Sequence, residues 1–163
     1  MPKRFLPEIC VDSVFDIDTE KLKKLGVRAF IFDIDNTVAT YAMPVPDDRT
    51  AVWLKGLESD GFKVYFASNN SMKRVETFAK SVGIPYIARA CKPLRFFLRR
   101  ACRNMGVLPR NTVLVGDQLF TDVWGGNRMG MHTVLVKPIS ETEDSFVKWK
   151  RGLERLVMHR SNK

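Results

Sequence analysis

Five short apolar runs recur between Val27 and Val136, each ending in a turn or polar cluster, with helix-patterned segments between them. They are Val27–Phe32, Lys63–Ala67, Tyr86–Ala88, Thr112–Gly116 and His132–Val136, and each is short enough to be a buried strand. A loop holding Pro44 and Pro46 leads to a helix that Asp47 or Asp48 can cap, carrying Val52, Trp53 and Leu57 and broken by Gly61. Ser71 can cap a second helix with Val75, Phe78 and Ala79 facing inward, closed by Gly83. Leu94–Met105 and Phe120–Met129, the latter closed by Gly130, are patterned as two more. Strand and helix alternating in this way predict an α/β fold. The expected form is a Rossmann-like three-layer sandwich with a mostly parallel central sheet and helices on both faces. The ends, roughly 1–26 and 138–163, lie outside the alternation. No repeat, low-complexity tract or linker interrupts the chain, so one domain is expected over 1–163.

The first run carries the chemistry. Phe30-Ile31-Phe32 leads into Asp33-Ile34-Asp35, then Asn36-Thr37. A parallel sheet gathers the loops after its strands along one edge, where α/β proteins bind ligands. Two carboxylates so close repel one another and raise each other's pKa unless a cation offsets them. A hard divalent cation with oxygen ligands does so, and then one carboxylate can attack phosphorus while its neighbour handles protons. Taken alone, the same segment also reads as a strand ending in an Asp-Asn turn.

The 163 residues are 45% hydrophobic and 28% charged, the composition of a globular protein able to bury a core. No apolar run approaches the roughly 20 residues of a membrane span. The basic amino terminus lacks the apolar stretch of a secretory signal. Cys10, Cys91 and Cys102 are odd in number and form no CxxC pair, which argues against a disulfide framework or zinc site and fits a reducing cytoplasm. The net charge of +9 favours polyanions, namely nucleic acid, anionic lipid or phosphorylated substrates, or else only aids solubility. Part of that charge is clustered, in Lys92, Arg95, Arg99, Arg100 and Arg103 and again in Lys148, Lys150, Arg151, Arg155 and Arg160.

Four strand ends then supply a set. Asp33 and Asp35 follow the first run, Ser68 and Asn69 the second, Lys92 the third, and Asp117 with Asp122 the fourth. Phosphoryl transfer needs a nucleophile, a proton donor, a metal and positive charge around the transferred group. A hydroxyl and backbone amides at a helix amino terminus, as after Ser68, cradle an anion. Lys92 can neutralise the transferred group, and Asp117 adds an oxygen ligand for a hard cation. Each of these residues also has an ordinary reading as a turn, surface or helix-first-turn residue. Their joint order is what sets them apart.

The order DxDNT, S-N-N, K-P and G-D-x-x-x-x-D resembles the four motifs of the haloacid dehalogenase (HAD) phosphatase superfamily, over about two-thirds of the chain (about 28–136). The resemblance implies Asp33 as a nucleophile forming an aspartyl-phosphate and Asp35 as the general acid. It implies Ser68 and the Asn69 amide as phosphate-binding groups, and Lys92 as the residue that stabilises the phosphoryl charge and orients Asp33. Mg²⁺ would sit on the Asp33 carboxylate, the Asp35 main-chain carbonyl and Asp117, with Asp122 in support and Thr37 bracing the first loop. A carboxylate at position 35 favours a phosphatase or phosphotransferase over a dehalogenase or ATPase, because it can shuttle the proton.

Neither gap between the motifs has room for a cap domain, so the sequence resembles the capless class. An uncovered site suits a phosphate on something bulky, unless a partner subunit in a homodimer encloses it. Tyr41, Met43, Pro44 and Pro46 would form a flap beside the site, or a rigid loop packed on the domain. The opening Ser13-Val14-Phe15-Asp16-Ile17-Asp18 and the compact motif set are similar to the YqeG-type subfamily, related to mitochondrial phosphatidylglycerophosphate phosphatases. That implies a phospholipid headgroup as substrate. A basic helix expected at about 145–160, with Trp149, Leu153, Leu156 and Val157 at helical spacing, would pack on the sheet or lie on an anionic membrane. The expected place is the cytoplasm, peripherally at the inner face of the membrane. Two other readings stand beside this one: a HAD-fold polyanion-binding or regulatory protein for nucleic acid or ribosome, and a phosphatase of soluble nucleotides, sugar phosphates or phosphoproteins.

Overall fold

A computed structural model describes residues 3–140. The basic helix expected at 145–160 lies outside the described residues. Six strands form one parallel sheet: β1 (Ile9–Val11), β2 (Ala29–Phe32), β3 (Lys63–Ala67), β4 (Tyr86–Ile87), β5 (Thr112–Gly116) and β6 (His132–Val136), in the order β1-β6-β5-β2-β3-β4. The helices are α1 (Thr19–Lys24), α2 (Asp48–Ser59), α3 (Met72–Val82), α4 (Arg95–Met105) and α5 (Trp124–Met129).

Strand alternation splits the core into two layers. Phe30 and Phe32 of β2, with Val64 and Phe66 of β3, meet Leu22 of α1, Leu54 and Leu57 of α2, and Phe78 of α3. Ala29, Ile31 and Tyr65 point the other way, against Leu98, Ala101, Cys102 and Met105 of α4, with Met129 of α5 packed alongside. The architecture is therefore the expected three-layer α/β sandwich. Among the described residues no domain is inserted: the β2–α2 connection is the loop 33–47, and the α3–β4 connection is 83–85.

The sheet has one strand more than the alternation suggests. Ile9–Val11 was expected to lie outside it, yet it pairs in parallel with β6, Ile9 opposite Val134 and Val11 opposite Val136. Three residues carry too little periodicity to announce a strand, and here the open edge of β6 supplies the pairing that their own pattern does not. Asp18 caps α1, accepting from the Lys21 amide at 2.8 Å. Elsewhere the boundaries shift by a residue or two. Asp47 caps α2 and Ser71 caps α3. Leu94 precedes α4 without a side-chain cap. Val52 is solvent-exposed, and Leu54 takes the buried place on α2. The helix expected from Phe120 begins one residue earlier as a π-helical turn, Leu119–Val123. Its continuation α5 lies close on the sheet because Gly126 has no side chain: a Cβ there would stand 2.6 Å from Thr133 Cγ2.

Candidate active site

All six strands run the same way, so the loops after β2, β3, β4 and β5 meet along one edge. After β2 the chain turns tightly on one carbonyl, Ile34 O accepting from the amides of Thr37, Val38 and Ala39. Asn36 takes φ 59° in this turn, a left-handed conformation that asparagine tolerates. Asp33 is left buried at the strand end, its amide bonded to Val115 O at 2.9 Å.

Lys92, also buried, reaches the same point from the β4 side. Its ammonium lies 3.0 Å from Asp33 Oδ1 and 2.7 Å from Asp122 Oδ1. Asn69 holds the Lys92 backbone on both sides: its Oδ1 accepts from Lys92 N at 2.7 Å, and its Nδ2 donates to Lys92 O at 3.1 Å. The Asn69 side chain thus positions the lysine, a task distinct from the amide contact to phosphate that the resemblance implies. Ser68, buried, accepts from the Asn70 amide at 3.2 Å. Thr37 donates to Asp117 Oδ1 at 3.4 Å, tying the first loop to the last.

Asp33, Asp117 and Asp122 are buried with carboxylate oxygens all within 4.8 Å of one another. Asp122, the residue expected in support, also accepts from the Gln118 amide at 3.2 Å. Gly116 makes that position possible, because a Cβ there would overlap the Asp122 carboxyl at 2.2 Å. Burial raises the Asp33 carboxyl, attraction to Lys92 opposes this and repulsion from Asp122 adds to it, and the net effect pushes it up to about 6. Burial, with repulsion from Asp122 and Asp33, likewise pushes Asp117 up to about 7. For Lys92, burial acts to lower the pKa, but the two aspartates outweigh it and hold the ammonium above the ordinary lysine range.

Three carboxylates face a single ammonium, an all-oxygen donor set with excess negative charge. This fits a hard divalent cation. Asp33 and Asp117 could hold it, with Asp122 beside them. Both raised values lie above the ordinary carboxylate value, so ionisation at these sites opposes folding when no cation is bound, and protonation relieves the strain as pH falls through 7 towards 5. In chelator the melting temperature should therefore rise between pH 8 and pH 5.5. Added Mg²⁺ or Mn²⁺ should raise it at pH 8 and do little at pH 5.5, since cation affinity falls up to about tenfold per pH unit for each proton displaced. Thermal melts across that range check this; a cation effect independent of pH would count against the cluster as the site.

Asp35 stands apart from the three acids. Its Oδ1 accepts from Arg74 Nη2 at 3.0 Å and Nε at 3.2 Å, and its Oδ2 from Asn70 Nδ2 at 2.8 Å. The same guanidinium donates to Thr40 O at 3.2 Å and to Met43 O, so Arg74 clamps the 40–43 loop beside Asp35. Arg74 carries no signal in the sequence, where Lys73-Arg74 in the first turn of α3 looks like ordinary helix-surface charge.

A family model described as HAD-hydrolase-like matches residues 89–151. The probable phosphatase YqeG of Bacillus subtilis is 39% identical over 158 residues, spanning 97% of this chain and 92% of its own. The chain belongs to the HAD phosphatase superfamily, with YqeG as a near-full-length relative. As such it is a phosphoric monoester hydrolase. The chloroplastic/mitochondrial phosphatidylglycerophosphate phosphatase 1 of Arabidopsis thaliana is 29% identical over 95% of this chain, which spans 47% of that longer protein. In fold, the chain resembles the cobalt-bound deoxy-D-mannose-octulosonate 8-phosphate phosphatase of Haemophilus influenzae, with TM-score 0.57, 15% identity and 70% of each chain covered. No helix of the described residues is long and apolar enough to cross a membrane.

Proposed function

We propose that this HAD phosphatase is Mg²⁺-dependent, works through an aspartyl-phosphate on Asp33, and takes a phospholipid headgroup as substrate, phosphatidylglycerophosphate foremost. The observation that carries the chemistry is the buried Asp33 carboxylate 3.0 Å from the Lys92 ammonium, beside Asp117 and Asp122. The lipid is supported by the relationship to phosphatidylglycerophosphate phosphatases and by a catalytic edge that, among the described residues, no inserted domain covers. The whole chain is read as one such domain, working in the cytoplasm at the inner face of the membrane.

Asp33 attacks phosphorus and the ester oxygen leaves. Asp35 gives that oxygen its proton, so the alcohol departs neutral. Ser68 and the Asn69 amide hold the phosphoryl oxygens, and Lys92 balances their charge while fixing the Asp33 carboxylate for in-line attack. A Mg²⁺ on Asp33, Asp117 and the Asp35 carbonyl would neutralise further charge and keep Asp33 ionised. In the second half Asp35, now a carboxylate braced by Arg74 and Asn70, takes a proton from water as that water attacks phosphorus. Phosphate leaves, Asp33 is regenerated, and Asp35 has recovered the proton it lost.

Arg74 acts only through Asp35 and the 40–43 loop in this scheme. Arg74→Ala should therefore lower kcat/KM for an alkyl phosphate about 10²-fold and for p-nitrophenyl phosphate less than about tenfold, since kcat/KM reports only the transfer to Asp33 and nitrophenolate leaves without a proton. Steady-state kinetics on both esters check this; equal losses in kcat/KM would show that Arg74 does not serve the proton donor. The substrate is tested by phosphate release with Mg²⁺, comparing phosphatidylglycerophosphate in vesicles with a panel of soluble monophosphates, chelator serving as the blank. Turnover of the lipid well above the panel is expected. Activity confined to soluble esters would keep the chemistry and discard the lipid.

A further inference from the structure

On the α4–α5 side of the sheet, the catalytic edge carries an unusual rim. Leu94, Phe96 and Phe120 are 57%, 64% and 60% exposed, although each lies beside a buried catalytic segment. Between them stand Arg95, Arg128 and Arg4, all exposed. The rim is continuous. Arg128 Nη1 reaches Pro93 O at 3.4 Å, next to Leu94, while its guanidinium lies 5.1 Å from the centre of the Trp124 ring. Trp124 packs on Phe5 at 5.3 Å, Phe5 on Phe120 at 5.6 Å, and Arg4 lies over Phe5 at 5.4 Å.

Among residues 77–140 the exposed charge has one sign. No aspartate or glutamate occurs between Glu76 and Asp117, and Asp117 and Asp122 are buried in the site. Arg95, Arg99, Arg100 and Arg103 line the exposed side of α4, whose buried positions are Leu98, Ala101, Cys102 and Met105. None of these four arginines forms an ion pair with a described residue. Asp47 and Asp48, the acids at the amino end of α2, belong to the helix layer on the opposite face of the sheet.

Soluble surfaces seldom place Leu, Phe and unpaired Arg together without a partner. Apolar side chains that can enter the acyl boundary, ringed by cations that meet phosphate headgroups, suit an anionic bilayer. We infer that the rim of Leu94, Phe96 and Phe120, with Arg4, Arg95 and Arg128 and the arginine face of α4, is the surface by which this enzyme docks on an anionic phospholipid membrane. The inference deepens the phospholipid reading and rests on it. Docked this way, the mouth of the site faces the headgroups, and a lipid phosphate reaches Lys92 without leaving the bilayer. The membrane itself then encloses the substrate at an edge that no described residue covers.

The test is flotation of the full chain with vesicles of phosphatidylcholine alone or mixed with phosphatidylglycerol. Leu94→Ser/Phe96→Ser and Arg95→Glu/Arg99→Glu are the variants. Serine at 94 suits a helix N-cap, so the first variant removes apolar surface without undermining α4. Wild type should float with the mixed vesicles only, and less so at high salt. Each variant should lose about tenfold or more of that partition while hydrolysing p-nitrophenyl phosphate at the wild-type rate. Wild type that stays unbound, or variants that float like wild type, would overturn the docking surface. So would capture of a poly(U) oligonucleotide in place of vesicles, lost in the same variants. Vesicle binding with no hydrolysis of phosphatidylglycerophosphate would sink the lipid-substrate reading and leave the docking surface standing. Hydrolysis of the detergent-dispersed lipid with no vesicle binding would do the reverse.

Discussion

Asp33→Asn protein is expected to release phosphate at least about 10⁴-fold more slowly than wild type on every ester, lipid or soluble, because the attacking oxygen is gone and no neighbour can replace it. Asp117 and Asp122 lie within reach of the same cluster, yet Asp122 is engaged by Lys92 and the Gln118 amide, and Asp117 by Thr37. The loss should not be one of folding. Burial holds the Asp33 carboxyl up at about 6, so its charge opposes the folded state at neutral pH, and a neutral amide removes that opposition. Lys92 keeps its 2.7 Å partner Asp122. In chelator at pH 7.5 the variant should therefore melt at or above the wild-type temperature, while the rise produced by Mg²⁺ should shrink. Single-turnover phosphate release and paired thermal melts check the two halves. Residual activity above about a hundredth of wild type would remove Asp33 from the role of nucleophile.

Lys92→Met should damage both stability and turnover. The methionine fills nearly the same volume, so the effect reads as loss of charge rather than of packing. Without the ammonium, Asp33 and Asp122 are buried carboxylates that have lost their opposite charge, with Asp117 close by. Breaking a buried pair on one side typically costs about 3–5 kcal/mol. Urea unfolding in chelator should show a loss of that order, and divalent cation should restore part of it by supplying the missing positive charge. Turnover with saturating Mg²⁺ should still fall roughly 10²- to 10³-fold, the scale of losing one group aimed at developing charge. A variant as stable as wild type in chelator would mean that the three carboxylates do not repel as their positions imply.

The two substitutions pull apart contributions that an activity assay alone would merge. One removes negative charge from the cluster and the other removes the positive charge that balances it. They should therefore move metal-free stability in opposite directions while both lowering turnover.

How much of this was legible in the residues follows from the range of the forces involved. The apolar runs at 29–32, 63–67, 112–116 and 132–136 are local patterns, each set by a few neighbouring side chains that must face a core on both sides of a sheet. The caps at Asp47 and Ser71 are equally local, since a side chain three residues away satisfies an amide. Hence the alternation, the parallel sheet and the gathering of Asp33, Ser68, Lys92 and Asp117 at one edge could all be read in advance. Strand β1 could not, because its three residues are ordered by the edge of β6 across the chain. Arg74 could not either. Its contact with Asp35 spans 39 positions and depends on how α3 and the 40–43 loop come to face each other. Nor could the 2.7 Å contact of Asp122 with Lys92, which requires both the space left by Gly116 and the turn at 119–123. The chain by itself determined which groups would be present and at which edge, because strand periodicity and parallel topology are properties of short segments. Only the tertiary structure decided which carboxylate meets which cation, because a hydrogen bond is settled within tenths of an ångström, by packing between elements that no local pattern encodes.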